Sequence, residues 1–175
     1  GKNINKKRSF GFHKKIFYKN PLDIVNNPDV NIVFELIGHS DGISKKLVEK
    51  ALKNKKHVVT ANKALIAKHG DYLSSLAEKN SINLEYEAAV GGGIPILRTI
   101  KDGLATNKIN KVVGILNGTC NYILCKIEST KDSFPNVLKK AQMLGYAEPR
   151  DPKLDLNGYD TLAKVRILSA LAFNK

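Results

Sequence analysis

The chain has 175 residues, of which 42% are hydrophobic and 26% charged, a composition typical of a soluble globular protein with one domain or parts of two. No apolar run approaches the roughly 18 residues that a membrane span requires and no signal peptide leads the sequence, so we expect a cytoplasmic protein without a membrane partner. The net charge of +13 comes almost entirely from dispersed lysines, which argues against nucleic-acid binding, where clustered arginines are favoured.

The first half of the chain alternates between short β-rich runs and amphipathic helical segments. Strands are predicted at 29–38 ("DVNIVFELIG"), 57–61 and 82–90, with helices over 43–53 and about 64–79 between them. This alternation is typical of α/β folds and predicts βαβ units of a doubly wound parallel sheet. Right-handed crossovers would place the strand ends at one edge, where ligands bind in such sheets. That edge would carry Gly38-His39, 60–63 and 88–93.

The pattern changes after the triple glycine at 91–93, and this change predicts two domains, residues 1–88 and 89–175. The second is expected to begin with a helix over about 96–105, a strand over 110–118 and helices near 119 and over about 135–144. A polar loop over 145–158 then leads to a final helix. The glycine fingerprint of a dinucleotide-binding turn is absent. Because both ends look cut, we expect part of a longer gene product.

Lys63 lies in "VVTANKALIA" (58–67), where a predicted strand ends and a predicted helix begins. At the strand-end edge of a parallel sheet, a cation faces either solvent or a bound ligand. In a lysine-rich chain, a solvated lysine is the simpler interpretation. The residues alone leave the choice open.

Asp160 and Lys164 lie four residues apart in the predicted final helix and therefore share one helical face. This spacing most commonly gives a surface ion pair, worth about 0.2–0.5 kcal/mol. An acid-rich loop precedes the helix, however, and carboxylates beside a lysine are also suited to holding a small zwitterionic substrate and moving a proton. The acids do not fall at EF-hand positions, so a calcium loop is not expected.

The segment "GILNGTCNYI" (114–123) places Asn-Gly-Thr at a predicted helix start. Such a start forms an ordinary N-cap, with Thr119 satisfying the first turn, an anion site, or both. Cys120 follows directly, but no histidine lies in an obvious partner segment, so the thiol is interpreted as packed and not as a nucleophile.

The segment "EYEAAVGGGIP" (85–95) combines an acid with a flexible backbone. The glycines favour a hinge, while Glu87 with nearby carbonyl oxygens would suit a hard cation. The four histidines are dispersed without the spacing of zinc ligands.

Four segments together resemble the successive signature blocks of homoserine dehydrogenase, in the same order and with similar spacing, over residues 2–175: "VVTANKALIA", "EAAVGGGIPI", "GILNGTCNYIL" and "LGYAEPRDPKLDLNGYDTLAKVRIL". The resemblance implies a partial Rossmann domain followed by the start of an α+β catalytic and dimerisation domain. It also implies NAD(P)-linked interconversion of L-aspartate 4-semialdehyde and L-homoserine, in the biosynthesis of threonine, methionine and isoleucine. A homodimer is implied for the full-length protein.

The resemblance also assigns roles to individual residues. The catalytic group would be Lys164, Asp160 and Lys63, and the substrate group Glu148, Tyr146, Thr119 and Gly118. The cofactor, NADP or NAD, would meet Lys2, Gly38, Thr60, Asn62 and Lys63. A monovalent cation, Na⁺, would be held by the Glu87 carboxylate and by the carbonyl oxygens of Val90, Gly92 and Ile94. The basic residues Lys2, Lys7 and Arg8 favour NADP, since a basic group there pairs with the 2′-phosphate.

The sequence argues against two other functions. Aspartate-semialdehyde dehydrogenase would require a catalytic cysteine with a histidine base, and Cys120 lacks such a partner in the sequence. A basic nucleic-acid-binding module would bind in a salt-sensitive manner, but the scattered lysines argue against it.

Overall fold

The computed structural model describes residues 5, 17–149 and 151–173, and these form two compact units. Unit 1 takes in the described residues up to Leu65 together with His69–Tyr86, and unit 2 takes in Ile66–Lys68 and the described residues from Glu87 onward. The residues predicted to meet the cofactor 2′-phosphate, Lys2, Lys7 and Arg8, lie outside the described part.

Unit 1 is an α/β unit built on a parallel sheet of three strands in the order β1-β2-β3. Its strands pair in a regular register, with Ile32 opposite His57 and Val58 opposite Leu84. A 3-10 helix, Pro21–Asn26, precedes the sheet. The strands are β1 (Ile32–Glu35), β2 (His57–Thr60) and β3 (Leu84–Glu85), and the helices are α1 (Ile43–Lys53) and α2 (Lys63–Lys79).

The strand order explains which face of the sheet is buried. Because the strands follow one another without reversal, right-handed connections place α1 and α2 on the same face. In β1, Val33 and Glu35 are buried, whereas Ile32 and Phe34 are 51% and 67% exposed. The α/β class is confirmed, but the apolar run "IVFE" alternates between buried and exposed residues and is not buried on both faces.

The core of unit 1 lies between the sheet and the two helices. Its fully buried side chains come from every second residue of the strands and from one stripe of each helix. These spacings follow from the side-chain repeat of about 2 residues in a strand and about 3.6 residues in a helix. Among these are Val48, Leu52, Val58, Leu65 and Leu73.

Unit 2 consists of helices in its described residues. A 3-10 turn, Glu87–Ala89, leads to α3 (Ile96–Arg98), which continues as a π-helical turn over Thr99–Gly103. The remaining helices are α4 (Gly118–Thr130), α5 (Phe134–Met143), α6 (Lys153–Leu156) and α7 (Tyr159–Phe173). Part of its core is a cluster of Ile123, Val137, Ala141 and Ala147.

One prediction of local structure was wrong and two were wrong in part. The predicted strand over 110–118 is absent, because no described segment pairs with it and a lone strand leaves its backbone donors and acceptors unsatisfied. Its side chains Val113 and Ile115 are 78% and 76% exposed. The predicted strand at 82–90 is reduced to Leu84–Glu85, and the loop at 145–158 contains the short helix α6. No described helix is both long enough and apolar enough to cross a membrane.

Candidate active site

Asp160 and Lys164 form an ion pair on α7. Lys164 Nζ lies 2.6 Å from Asp160 Oδ2, and it also donates to the carbonyl oxygen of Leu116 at 2.7 Å. The Lys164 side chain is 17% exposed and that of Asp160 only 7%. The surface ion pair that the spacing alone favours is therefore ruled out. The amine and the carboxylate interact where solvent screens them less, and removal of either would leave a buried charge.

The side-chain amide of Asn117 links this pair to α4. Its oxygen accepts from the Cys120 N–H at 2.8 Å and so caps α4, a role that the sequence had assigned to Thr119. Its nitrogen donates to Asp160 Oδ2 at 3.0 Å and to Asp155 Oδ1 at 2.9 Å. Asp160 Oδ2 is also the atom that contacts Lys164 Nζ, so Asn117 holds in place the oxygen that positions the amine.

Thr119 and Asp155 extend the network. The Thr119 hydroxyl lies 3.1 Å from Asp155 Oδ2 and also within hydrogen-bonding distance of the Tyr146 carbonyl oxygen. A hydroxyl has a single proton, so it donates to one of these oxygens at a time. The structure thus joins Asn117, Thr119, Asp155, Asp160 and Lys164 into one set, called here the Lys164 cluster. Neither Asn117 nor Asp155 was among the predicted site residues, although Asp155 belongs to the acid-rich loop that the sequence singled out and Asn117 begins the Asn-Gly-Thr segment.

Three of the predicted substrate residues, Tyr146, Gly118 and Glu148, lie outside this cluster. Tyr146 is 55% exposed and its ring stacks on that of Tyr122, with ring centroids 4.7 Å apart and an interplanar angle of 22°. Gly118 is the first residue of α4, and no atom lies within 4 Å of the position a Cβ would take there. Glu148 is exposed, and among the described residues its carboxylate makes no hydrogen bond or ion pair.

The environment of Cys120 favours the protonated thiol over the nucleophilic thiolate. Burial, together with the nearby carboxylates of Asp155 and Asp160, raises the pKa of its thiol above the ordinary value. Its Sγ lies 3.4 Å from the carbonyl oxygen of Asp155. Since the thiolate is the reactive form, the raised pKa keeps this cysteine unreactive at neutral pH.

The turn predicted to hold a cation is organised around Glu87. The two oxygens of its carboxylate accept the backbone N–H groups of Leu97 (3.0 Å) and Arg98 (2.8 Å), which belong to α3. Along the same turn the Ile94 carbonyl oxygen accepts from the Ile96 N–H at 2.8 Å. The structure therefore gives Glu87 a helix-capping role that sequence reasoning missed.

In unit 1, the polar residues at the ends of β1 and β2 are tied together. Glu35 Oε2 accepts from the Thr60 hydroxyl at 2.7 Å, and that hydroxyl accepts from the Asn62 N–H at 3.0 Å. The Asn62 side chain donates to the His39 carbonyl oxygen at 2.8 Å and caps α2 by accepting from Leu65 N at 3.1 Å. Thr60 and Asn62 are therefore buried and bonded within the protein. Lys63, the first residue of α2, is half-buried.

Residues 36–42, called here the β1 loop, connect β1 to α1. The backbone of Gly38, His39 and Gly42 is left-handed, with φ values of 90°, 68° and 71°. Nothing lies within 4 Å of the position a Cβ would take at Gly38, so the loop surface is open there. The loop lies at the carboxyl end of a parallel strand, the edge where open α/β sheets bind ligands.

Comparisons with known proteins agree along the chain. A family model for the NAD-binding domain of homoserine dehydrogenase matches residues 2–87, and one for homoserine dehydrogenase matches residues 95–175. The homoserine dehydrogenase of Neisseria gonorrhoeae is 48% identical over 157 residues, which is 90% of this chain and 36% of that protein. That of Bacillus subtilis is 44% identical over 99% of this chain and 40% of that protein.

Solved structures agree with these relatives. A homoserine dehydrogenase from Thiobacillus denitrificans superposes with a TM-score of 0.83 at 46% identity, covering 89% of this chain and 36% of that one. A hyperthermophilic archaeal homoserine dehydrogenase, solved in complex with NADPH, gives a TM-score of 0.81 at 26% identity over 99% of this chain and 51% of that one. The chain thus spans about 36–40% of the length of the curated relatives named above.

The parallel α/β unit matches the model of an NAD-binding domain, so the chain belongs to a family of NAD(P)-dependent oxidoreductases. Both family models and the relatives specify the family within that class. The chain belongs to the homoserine dehydrogenase family.

Proposed function

We propose that this chain carries active-site residues of an enzyme that interconverts L-homoserine and L-aspartate 4-semialdehyde with NADP or NAD. The observation that carries the proposal is the buried contact of 2.6 Å between Lys164 and Asp160. A lysine held in this way by a carboxylate, with little access to solvent, is suited to proton transfer with a substrate hydroxyl.

In the direction of homoserine oxidation, the substrate hydroxyl loses a proton while its carbon loses a hydride. The nicotinamide ring, when bound, takes up that hydride. Lys164 as the neutral amine accepts the hydroxyl proton, and in the reverse direction its ammonium returns a proton to the oxygen of the reduced aldehyde. Asp160 and the Leu116 carbonyl oxygen accept two of the three ammonium donors in the described structure, so the third is left for the substrate oxygen.

The amino-acid part of the substrate would be held by residues around the Lys164 cluster. The exposed Glu148 carboxylate is available to the substrate ammonium group, as the resemblance implies. The first turn of α4, at Gly118 and Thr119, offers backbone N–H groups to the substrate carboxylate. Tyr146, stacked on Tyr122, would close one side of the binding region.

The cofactor is proposed to meet the strand-end loops of unit 1. The β1 loop fits the flat nicotinamide end because Gly38 leaves its surface open. Thr60 and Asn62 would act by shaping this edge, since their side chains are bonded within the protein, and Lys63 would lie near the same end. We propose NADP as the preferred cofactor, on the basis of Lys2 and its basic neighbours.

A monovalent cation, Na⁺, is proposed at the turn after Glu87. The carbonyl oxygens of Val90, Gly92 and Ile94 and the Glu87 carboxylate are all oxygen donors, which suits a hard cation. Glu87 would serve the site while it caps α3.

The cellular setting is proposed from family membership. We expect a cytoplasmic homodimer that acts on the way to threonine, methionine and isoleucine.

The proposed activity predicts homoserine-dependent reduction of NADP⁺ by the protein expressed from its complete gene, measured at 340 nm. The rate should be unchanged within about twofold in Cys120→Ser, because the thiol takes no part in the reaction. Phosphate-dependent oxidation of aspartate 4-semialdehyde, which needs a cysteine nucleophile, should be absent. A folded protein that is inactive with homoserine would overturn the proposal, and a phosphate-dependent activity lost in Cys120→Ser would replace it.

A further inference from the structure

Glu35 is a fully buried acid that no step of the proposed reaction uses. It ends β1, and its side chain is 0% exposed. The alternation of the strand directs it inward, as it directs Val33. A buried carboxylate is unfavourable unless its oxygens are hydrogen-bonded, so an acid retained at this position needs partners.

The partners of Glu35 are the two strand-end segments. Its Oε1 accepts from the backbone N–H of Ile37 at 2.8 Å and of Gly38 at 3.3 Å, both in the β1 loop. Its Oε2 accepts from the Thr60 hydroxyl at the end of β2. One side chain therefore joins the loop after β1 to the end of the neighbouring strand.

The conformation of the β1 loop requires such support. His39 adopts a left-handed φ of 68°, which residues other than glycine rarely adopt. Its carbonyl oxygen is held by Asn62, and the Gly38 carbonyl oxygen accepts from the Ser44 hydroxyl. Glu35 is the acidic member of this set, and its two oxygens bond the backbone of the β1 loop and the hydroxyl at the end of β2.

We infer that Glu35 is a positioning residue that holds the β1 loop in the shape that receives the nicotinamide end of the cofactor. The inference rests on the proposed function, since it assumes that a nicotinamide cofactor binds at this edge. Glu35 itself does not touch the cofactor. It acts through the backbone of Ile37 and Gly38 and through the hydroxyl of Thr60.

The variant Glu35→Gln tests this role with little change in size. Its one remaining oxygen can accept from the loop amides, but its NH₂ group then faces Thr60, whose hydroxyl proton loses its acceptor. In the protein expressed from its complete gene, we expect KM for NADP⁺ to rise about tenfold. The kcat at saturating cofactor and KM for homoserine should stay within about threefold of wild type. Glu78→Gln, an exposed acid on α2, is the matched control and should leave all three unchanged.

A second pair of variants covers the case in which Glu35→Gln does not fold. Thr60→Val removes the hydroxyl and should raise KM for NADP⁺, whereas Thr60→Ser keeps the hydroxyl and should restore it. The inference is wrong if folded Glu35→Gln or Thr60→Val has a wild-type KM for NADP⁺. It is also wrong if kcat falls and KM rises for both substrates together. In either case the proposed function stands. If the wild-type protein neither oxidises homoserine nor binds NADP(H), as followed by NADPH fluorescence, both are wrong.

Discussion

Replacing Lys164 with methionine is expected to lower kcat for homoserine oxidation by about 10²–10⁴-fold, the usual contribution of a general acid–base group. Methionine fills a similar volume but cannot accept the hydroxyl proton. The KM for NADP⁺ should change little, because the proposed cofactor residues belong to unit 1. Steady-state rates with homoserine and NADP⁺ measure both parameters.

Loss of folding must be separated from loss of chemistry, because Asp160 would lose its ion-pair partner. Lys164→Arg keeps the positive charge but cannot release a proton near neutral pH, so it should be more stable than Lys164→Met and still inactive. Lys140→Met is the matched control, because Lys140 forms an exposed ion pair with Asp132 at 2.9 Å. This substitution should leave kcat unchanged. A folded Lys164→Met protein with more than about a tenth of the wild-type kcat would contradict the proposed role.

Replacing Asn117 with alanine is expected to lower both the stability of unit 2 and the activity. The change removes the cap of α4 and two hydrogen bonds to carboxylates, so the half-buried Asp155 and the buried Asp160 each lose one donor. Together these losses should cost about 3 kcal/mol in the free energy of unfolding, measured by urea denaturation. The kcat should fall by at least about tenfold, because Asp160 without its bond to Asn117 no longer holds Lys164 in one position.

Asn121→Ala provides the control for this prediction. Asn121 lies on the same helix but is exposed, and its side chain accepts only a weak contact from Cys125 Sγ at 3.7 Å. Its loss should change stability by less than about 0.5 kcal/mol. Equal effects of the two substitutions would show that helix α4, and not the bridge to the two carboxylates, accounts for the result.

The α/β character of unit 1 could be predicted because its signals are local. Alternating β-rich runs and helical stripes have fixed periods, and a helix between successive strands is typical of a parallel sheet. The strand over 110–118 was mispredicted for the opposite reason. Its apolar residues fit a strand, but a strand exists only with a partner, and partners are long-range information that a local pattern lacks.

In the candidate site, too, local features could be predicted and long-range contacts could not. The i, i+4 spacing of Asp160 and Lys164 predicts that they meet, but not that they are buried, since burial depends on Leu116 and Asn117 far away in sequence. Glu35 was missed because an acid at the end of an apolar strand gives no indication of its partners. An acid within "IVFE" is nevertheless a usable signal, since a charge retained in a buried strand implies hydrogen-bond donors around it.

The most direct test of the proposed role of Lys164 is a crystal structure of the protein expressed from its complete gene with homoserine and NADPH, a pair that cannot react. We expect the homoserine hydroxyl within about 3.2 Å of Lys164 Nζ, with Asp160 still bonded to that amine. A homoserine molecule whose hydroxyl lies on other residues, with Lys164 bonded only to Asp160 and Leu116, would contradict it.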